Sequence, residues 1–268
     1  MNKAFRLHLF LIGFLTLGSW TVWSQEEMIE LAEPPPWISL WEEARELATE
    51  GDYLEAKELY ESLLEDPAPL GSKGSTIRKE YEALQMKILF SPLETPESLF
   101  HTIEPGDSLY ELAKQYNTTV ELLRKSNGIK GDTIFAGKKL KISKAKFSVV
   151  VQKRRNRLTL LADGSLLKRY KVATGTDGST PAGTFKIVNK LENPTWYRAG
   201  AVVPPDSPEN ILGTRWLGFD TPGYGIHGTT LPETIGTQSS KGCVRMLNED
   251  VEELYDVVPM GTEVVVKE

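Results

Sequence analysis

The period of the apolar residues changes along this chain, and each change demands a different backbone. In "SLWEEARELATEGDYLEAKELYESLLED" the positions Leu40, Trp41, Ala44, Leu47 and Ala48 recur at helical spacing. Gly51-Asp52 interrupts them, and Tyr53, Ala56, Leu59, Tyr60 and Leu63 resume the pattern. From Phe147 the texture is that of strands: "FSVVVQ", "NRLTLLA", "KRYKVAT", "GTFKIV" and "TEVVVK", several of them alternating. Turn signals at Asp163-Gly164, Thr176-Asp177-Gly178 and Pro181 part these runs. Side chains repeat every 3.6 residues on a helix and every two on a strand, so one segment cannot serve both. The chain is therefore expected to be multidomain, helical first and mostly β later. One helix is expected late in the β part, capped by Asn248, striped by Val251, Leu254 and Tyr255, and closed by Pro259 and Gly261.

Charge divides the chain as well. Residues 26–66 hold fourteen acids against two bases, and residues 114–190 hold eighteen bases against four acids. Separate modules account for this, with either a solvated surface or a basic face toward an anionic polymer. Residues 1–24 read as an export signal: Lys3 and Arg6, then the apolar "LHLFLIGFLTL", then "VWS" with small residues at the cleavage positions. The apolar run is short for a membrane span, though an uncleaved anchor stays open. The expected location is thus outside the cytoplasm, in the periplasm or cell wall. Residues 25–37 form an acidic linker whose three consecutive prolines are expected to forbid helix.

In residues 38–92 the Gly-x-Tyr-x-x-Ala centre of the helical hairpin resembles one tetratricopeptide-type unit, and "STIRKEYEALQMKILF" offers a third helix. A single hairpin is no array, so a spacer or a docking module for a protein partner is expected.

Residues 99–143 carry two capping boxes, Ser108-x-x-Glu111 and Thr118-x-x-Glu121, with Asn127-Gly128 ending the second helix. Short apolar runs flank them, giving the order strand, helix, helix, strand. The "GDSLYELA" opening, "LLRKSNGI" and "IFAGKKLKI" resemble a LysM domain along its whole length. The resemblance implies binding to N-acetylglucosamine-containing glycan. The implied groove lies between Gly106, Asp107, Ser108 and Asn127, Gly128, Ile129.

Cys243 is the one cysteine of the chain, in "SSKGCVRM". A lone thiol in an exported chain has no disulfide to make within its own chain, and is either a small buried hydrophobe or a reactive group. A nucleophilic thiol needs a base. Of three histidines only His227, in "GYGIHGTT", lies in the β part, and the loop 229–241 would have to bring the two together. Gly242 leaves room beside the sulfur, and backbone N–H groups near Gly242 and Cys243 are candidates to hold an oxyanion. Arg245 faces the same way as Cys243 if the segment is extended, and suits a substrate carboxylate. Three scattered histidines and one cysteine give no metal-ligand spacing, and no cofactor is expected.

Residues 147–268, with "TGTDGSTPAGTFKI", "IHG" and "SKGCVRMLNEDVEELYDVVPMGTEVVV", resemble the L,D-transpeptidase catalytic domain of the YkuD family. The resemblance implies a β-sandwich-like domain with a short helix, Cys243 as nucleophile and His227 as base. It implies an acyl site shaped by Ser240, Lys241, Gly242 and Arg245, with Trp196 and Tyr197 of "NPTWYR" near the cleft. The family usually places histidine where this chain has Lys241, which bears on specificity more than on catalysis. The implied partners are peptidoglycan glycan strands and stem peptides, not nucleic acid. The acceptor stays open among a second stem peptide, water and a protein lysine. A cysteine peptidase and a scaffold with a degenerate site are the rival readings.

Overall fold

A computed structural model describes residues 35–66, 71, 73–198 and 200–268; the expected export segment and most of the linker lie outside the described residues. Helix α1 (Pro36–Glu50) begins at the last of the three prolines. Proline is tolerated in a first helical turn because no intrahelical bond needs its missing N–H, so the expectation of no helix in the linker fails at Pro36 and Trp37. Gly51 ends α1 in the left-handed region at φ 103° and donates its N–H to Leu47 O. Helices α2 (Tyr53–Glu65) and α3 (Gly74–Leu89) complete a three-helix unit around Ala44, Ala56, Tyr60, Leu63 and Ile77.

The next unit has the expected order: β1 (Ser98–Thr102), α4 (Leu109–Gln115), α5 (Val120–Asn127) and β2 (Lys139–Ser143), with β1 and β2 antiparallel. Ser108 caps α4 by accepting Glu111 N–H at 3.2 Å. The second cap is Thr119, which accepts Leu122 N–H at 2.9 Å, not the expected Thr118. Thr119 also donates its hydroxyl to Asp256 O across the unit boundary. Two partners thus select Thr119, while Thr118 Oγ1 is buried without one. Gly128 closes α5 at φ 62° as expected.

Only residues 144–146 separate β2 from β3 (Phe147–Gln152). Then follow β4 (Arg157–Ala162), β5 (Ser165–Lys171), β6 (Thr174–Gly175), β7 (Gly183–Glu192), β8 (Trp196–Arg198), β9 (Ala201–Val203), β10 (Arg215–Phe219), β11 (Gly225–His227), β12 (Gln238–Ser240), β13 (Val244–Arg245), α6 (Asn248–Val257) and β14 (Glu263–Lys267). Eight of these strands form one sheet in the order β13-β11-β10-β7-β14-β3-β4-β5. Strand β7 pairs through Gly183–Lys186 with β14 and through Ile187–Glu192 with β10, with a register shift at Gly218/Phe219. Passing from one partner to the other mid-strand curls the sheet, and its two halves enclose one core with α6. This is how the mostly-β, sandwich-like expectation is realised.

Asn248 is not the cap of α6. Leu247 holds that position without a side-chain bond, and Asn248 is the first helical residue. Its Oδ1 instead accepts N–H groups from Thr229 at 3.0 Å and Thr214 at 3.4 Å. Glu249 and Asp250 supply the negative charge that the helix start favours.

The units share their packing. Met86 of α3 and Leu122 of α5 belong to the core of the β part. Glu82 is buried and holds Arg169 of the edge strand β5 at 2.5 Å, while Gln85 donates to Leu166 O at 2.6 Å. Helix α3 therefore covers an edge that would otherwise offer unpaired backbone groups. Lys125 of α5 pairs with Asp256 of α6 at 2.5 Å. Lys141 of β2 is buried and caps the end of α3 through Ile88 O and Ser91 O.

Candidate active site

The end of the sheet where β10, β11 and β13 lie side by side collects the chemistry. β11 and β13 run parallel, with Ile226 opposite Val244 and His227 opposite Arg245. Paired residues face one way, so His227 and Arg245 share a face. Cys243, one residue before β13, lies level with Gly225 in the same register. The pairing of short strands thus joins the thiol and the imidazole. The intervening segment is no plain loop, since it contributes β12, which pairs with β6.

The thiol segment is held from below. Ser240 is buried, donates its hydroxyl to Cys243 O at 2.6 Å and accepts Gly242 N–H at 3.1 Å. That second bond removes Gly242 N–H from the candidates for an oxyanion, because a fixed intramolecular acceptor already holds it. Cys243 N–H has no acceptor among the described residues. Gly242 sits at φ 127°, and a Cβ there would stand 2.7 Å from Tyr224 Cε1 and 3.1 Å from Ser179 O. The glycine is needed for backbone shape and for close approach, which is a stronger reason than an open path to the sulfur. The motif 174–187 enters here through Thr180 Oγ1, which takes Gly175 N–H, and just before it Ala173 bridges to Arg245.

His227 is 2% exposed and stacks on Trp216 with centroids 5.9 Å apart. Its Nδ1–H donates to the Gly228 carbonyl at 2.6 Å, and the Leu212 backbone also meets the ring. Burial pushes its pKa down to about 4. The Arg245 charge acts in the same direction, and the Gly228 and Leu212 backbones oppose it. The imidazole is therefore neutral at pH 7. The Cys243 thiol points to Gly223 O at 3.5 Å, not to His227. Burial raises its pKa, offset in part by the Gly225 backbone and the Arg245 charge. Sulfur and imidazole thus rest as thiol and neutral ring, not as a preformed thiolate–imidazolium pair.

Arg245 is 8% exposed, with Nε buried and unpaired, and has no acidic partner among the described residues. A buried cation without an anion is costly and marks a place for one. Lys241 is exposed. Trp196 and Tyr197 stand on the β8–β9 hairpin, Tyr197 opposite Val202 and 76% exposed. Trp216, Tyr224 and the Gly175–Thr180 turn were not legible as site residues, because only the curl of the sheet brings them to the thiol.

In the LysM-like unit the expected groove residues also hold the fold. Asp107 accepts Glu104 N–H and faces His101 Nε2, both at 2.8 Å. The Glu104 N–H first, then His101, keep its carboxyl below the usual range. Asn127 binds both Lys141 N–H and Lys141 O, and Ile129 packs against the unit's own core.

Two family profiles match the chain: the L,D-transpeptidase catalytic domain over residues 146–266 and the LysM domain over residues 101–143. Among curated relatives named as L,D-transpeptidases, YqjB of Bacillus subtilis is 43% identical over 124 residues, covering 44% of this chain and 69% of YqjB. YkuD of Bacillus licheniformis is 34% identical over 174 residues, 62% of this chain and 97% of that protein. Among solved structures, an L,D-transpeptidase from Mycobacterium smegmatis is 22% identical with a TM-score of 0.39, covering 49% of this chain and 64% of that one. A mostly-β domain matching the L,D-transpeptidase profile, preceded by a LysM domain, defines the class of protein. The chain belongs to the YkuD family of L,D-transpeptidases.

Proposed function

We propose that this chain is an exported L,D-transpeptidase that forms a thioester on Cys243 and remodels peptidoglycan stem peptides while its LysM unit holds the glycan. The observation that carries this reading is the shared face of His227 and Arg245 beside Cys243, with the imidazole tautomer fixed by Gly228 O. Arg245 binds a carboxylate of the donor tetrapeptide, which supplies its missing anion. Rotation about the Cys243 side chain takes the sulfur from Gly223 O toward His227 Nε2. The thiol proton passes to Nε2 as sulfur attacks the carbonyl of the L-centre residue. The oxyanion forms beside the unpaired Cys243 N–H. Collapse breaks the amide bond, and the imidazolium returns its proton to the departing D-amino acid. The amine of a second stem peptide then attacks the thioester, His227 takes its proton, and the thiol is released with a 3→3 crosslink. Binding of LysM through the loops around Gly106 and Gly128 raises the local concentration of stem peptides.

Incubation with a disaccharide-tetrapeptide, followed by mass spectrometry, should give crosslinked dimers and free D-amino acid. Identical products from the wild type and Cys243→Ala would refute the reading. A carbapenem should add its mass to wild-type protein and not to Cys243→Ala. Hydrolysis of crosslinked peptides without transfer to an added amine would indicate a peptidase instead.

A further inference from the structure

We infer that Asn248 is a positioning residue for the base: through the Gly228–Thr229 peptide it decides which nitrogen of His227 carries the proton. This rests on the reading of His227 as the base.

The three groups form a line through one peptide unit. His227 Nδ1–H donates to Gly228 O at 2.6 Å, and the N–H of the same peptide, on Thr229, donates to Asn248 Oδ1 at 3.0 Å. A trans peptide is planar, with its C=O and N–H pointing in opposite directions, so fixing the N–H fixes the carbonyl. A flipped peptide would turn its N–H toward the ring. Nδ1 would then have to accept, and the proton would move to Nε2, the nitrogen that must take the thiol proton. Stacking on Trp216 does not prevent this, since a face contact holds the ring plane and is indifferent to the position of the proton. The hydrogen bond at Nδ1 makes the choice together with the Leu212 backbone, which also meets the ring, and Asn248 holds the Gly228 part of that pair. An accepted bond at the peptide N–H also polarises the carbonyl and strengthens its hold on Nδ1–H.

Two further observations separate this role from ordinary helix capping. Asn248 does not cap α6, although it opens that helix. Its Oδ1 also takes Thr214 N–H at 3.4 Å, tying the start of β10 to the turn after β11. A Cβ at Gly213 or at Gly228 would come within 2.2 Å of this oxygen, so the amide is packed against both backbones without slack.

The test uses the full chain labelled with nitrogen-15, with imidazole resonances of His227 assigned by comparison with His227→Gln. In the wild type the proton should reside on Nδ1. In Asn248→Leu, which removes the acceptor at similar volume, it should spread to Nε2. Acylation of Cys243 by a carbapenem should then slow on the order of a hundredfold, the scale of general-base catalysis. Asn248→Asp keeps the acceptor oxygen and should keep the Nδ1–H tautomer. If Asn248→Leu retains that tautomer, the inference is overturned, even where acylation slows, because the residue then acts only on stability. If Asn248→Leu does not fold, Asn248→Ser, whose shorter side chain withdraws the oxygen, takes its place with the same expectation and the same refutation. Unchanged acylation in His227→Gln would remove the base itself, an outcome distinct from any result at Asn248.

Discussion

Arg245 stands opposite His227 in the parallel β11–β13 pair, buried and without an acidic partner among the described residues. The pairing places a permanent positive charge next to the imidazole proposed as the base, and helps keep that ring neutral. The same charge lies close enough to Cys243 to favour its ionised form. One guanidinium thus opposes protonation of the histidine and favours ionisation of the sulfur.

Replacing this charge separates binding from folding. Arg245→Met removes an unpaired buried cation, so the melting temperature should stay level or rise. A charge-assisted bond to a donor carboxylate contributes about 1.5–3 kcal/mol, so kcat/KM should fall by about tenfold to a hundredfold. Donor kinetics and thermal melting measure both. Unchanged kinetics would take Arg245 out of substrate binding.

Gly242→Ala attacks the turn that presents the sulfur. Its φ of 127° disfavours any side chain, at about 1–3 kcal/mol, and the added methyl meets Tyr224 Cε1 at 2.7 Å. Carbapenem acylation should be lost, with a modest fall in melting temperature. Adding Tyr224→Leu relieves the contact and leaves the backbone strain, so recovery should be partial. Full recovery would show that only the ring contact matters.

The pH dependence follows from the two buried groups. His227 is neutral above about 4, so acylation should persist well below the ordinary histidine range and fail as pH drops through about 4. In stability the sign is the same. The unfolded chain protonates near 6.5 and the folded one near 4, so the unfolded state binds more protons between them. The contribution is complete above 6.5 and declines as pH falls toward 4, a change on the order of 3 kcal/mol. His227→Gln should flatten that part of the melting-temperature profile. The raised Cys243 thiol should react slowly with iodoacetamide at pH 7 and faster at alkaline pH.

The helical unit is fastened by a buried charge. Glu82→Leu leaves Arg169 facing an apolar surface at the sheet edge. Because Arg169 remains partly exposed, the loss should be about 2 kcal/mol, below that of a fully buried pair. Melting should fall and α1–α3 should become sensitive to protease, while Cys243 acylation stays at the wild-type rate. Unaltered protease resistance would mean that Met86 and Gln85 suffice to hold α3.

Much of this fold was legible because its elements carry local signals. The Ser108 cap, the Gly128 stop, the Gly51 break and the run Phe147–Gln152 each lie where short-range chemistry puts them. The misplacements occurred where a distant partner outweighs the local one. Thr119 takes the cap from Thr118 because Asp256 also holds its hydroxyl. Asn248 gives up capping because Thr214 and Thr229 offer their N–H groups. Strands of two or three residues, such as β6 and β13, have no periodicity to read and exist only through their neighbours.

The sequence by itself determined the helical and β character of each part, the order of the LysM-like elements, and the two residues, Cys243 and His227, on which the chemistry is expected to turn. Periodicity, caps and a lone thiol are properties of a chain and its nearest neighbours. Tertiary structure decided the rest. It set the parallel register that brings Arg245 level with His227, took Gly242 N–H for Ser240, brought Tyr224 over the turn, and turned Asn248 to the Gly228–Thr229 peptide. These depend on contacts between segments far apart in the chain, and such contacts exist only once the sheet has curled around its core.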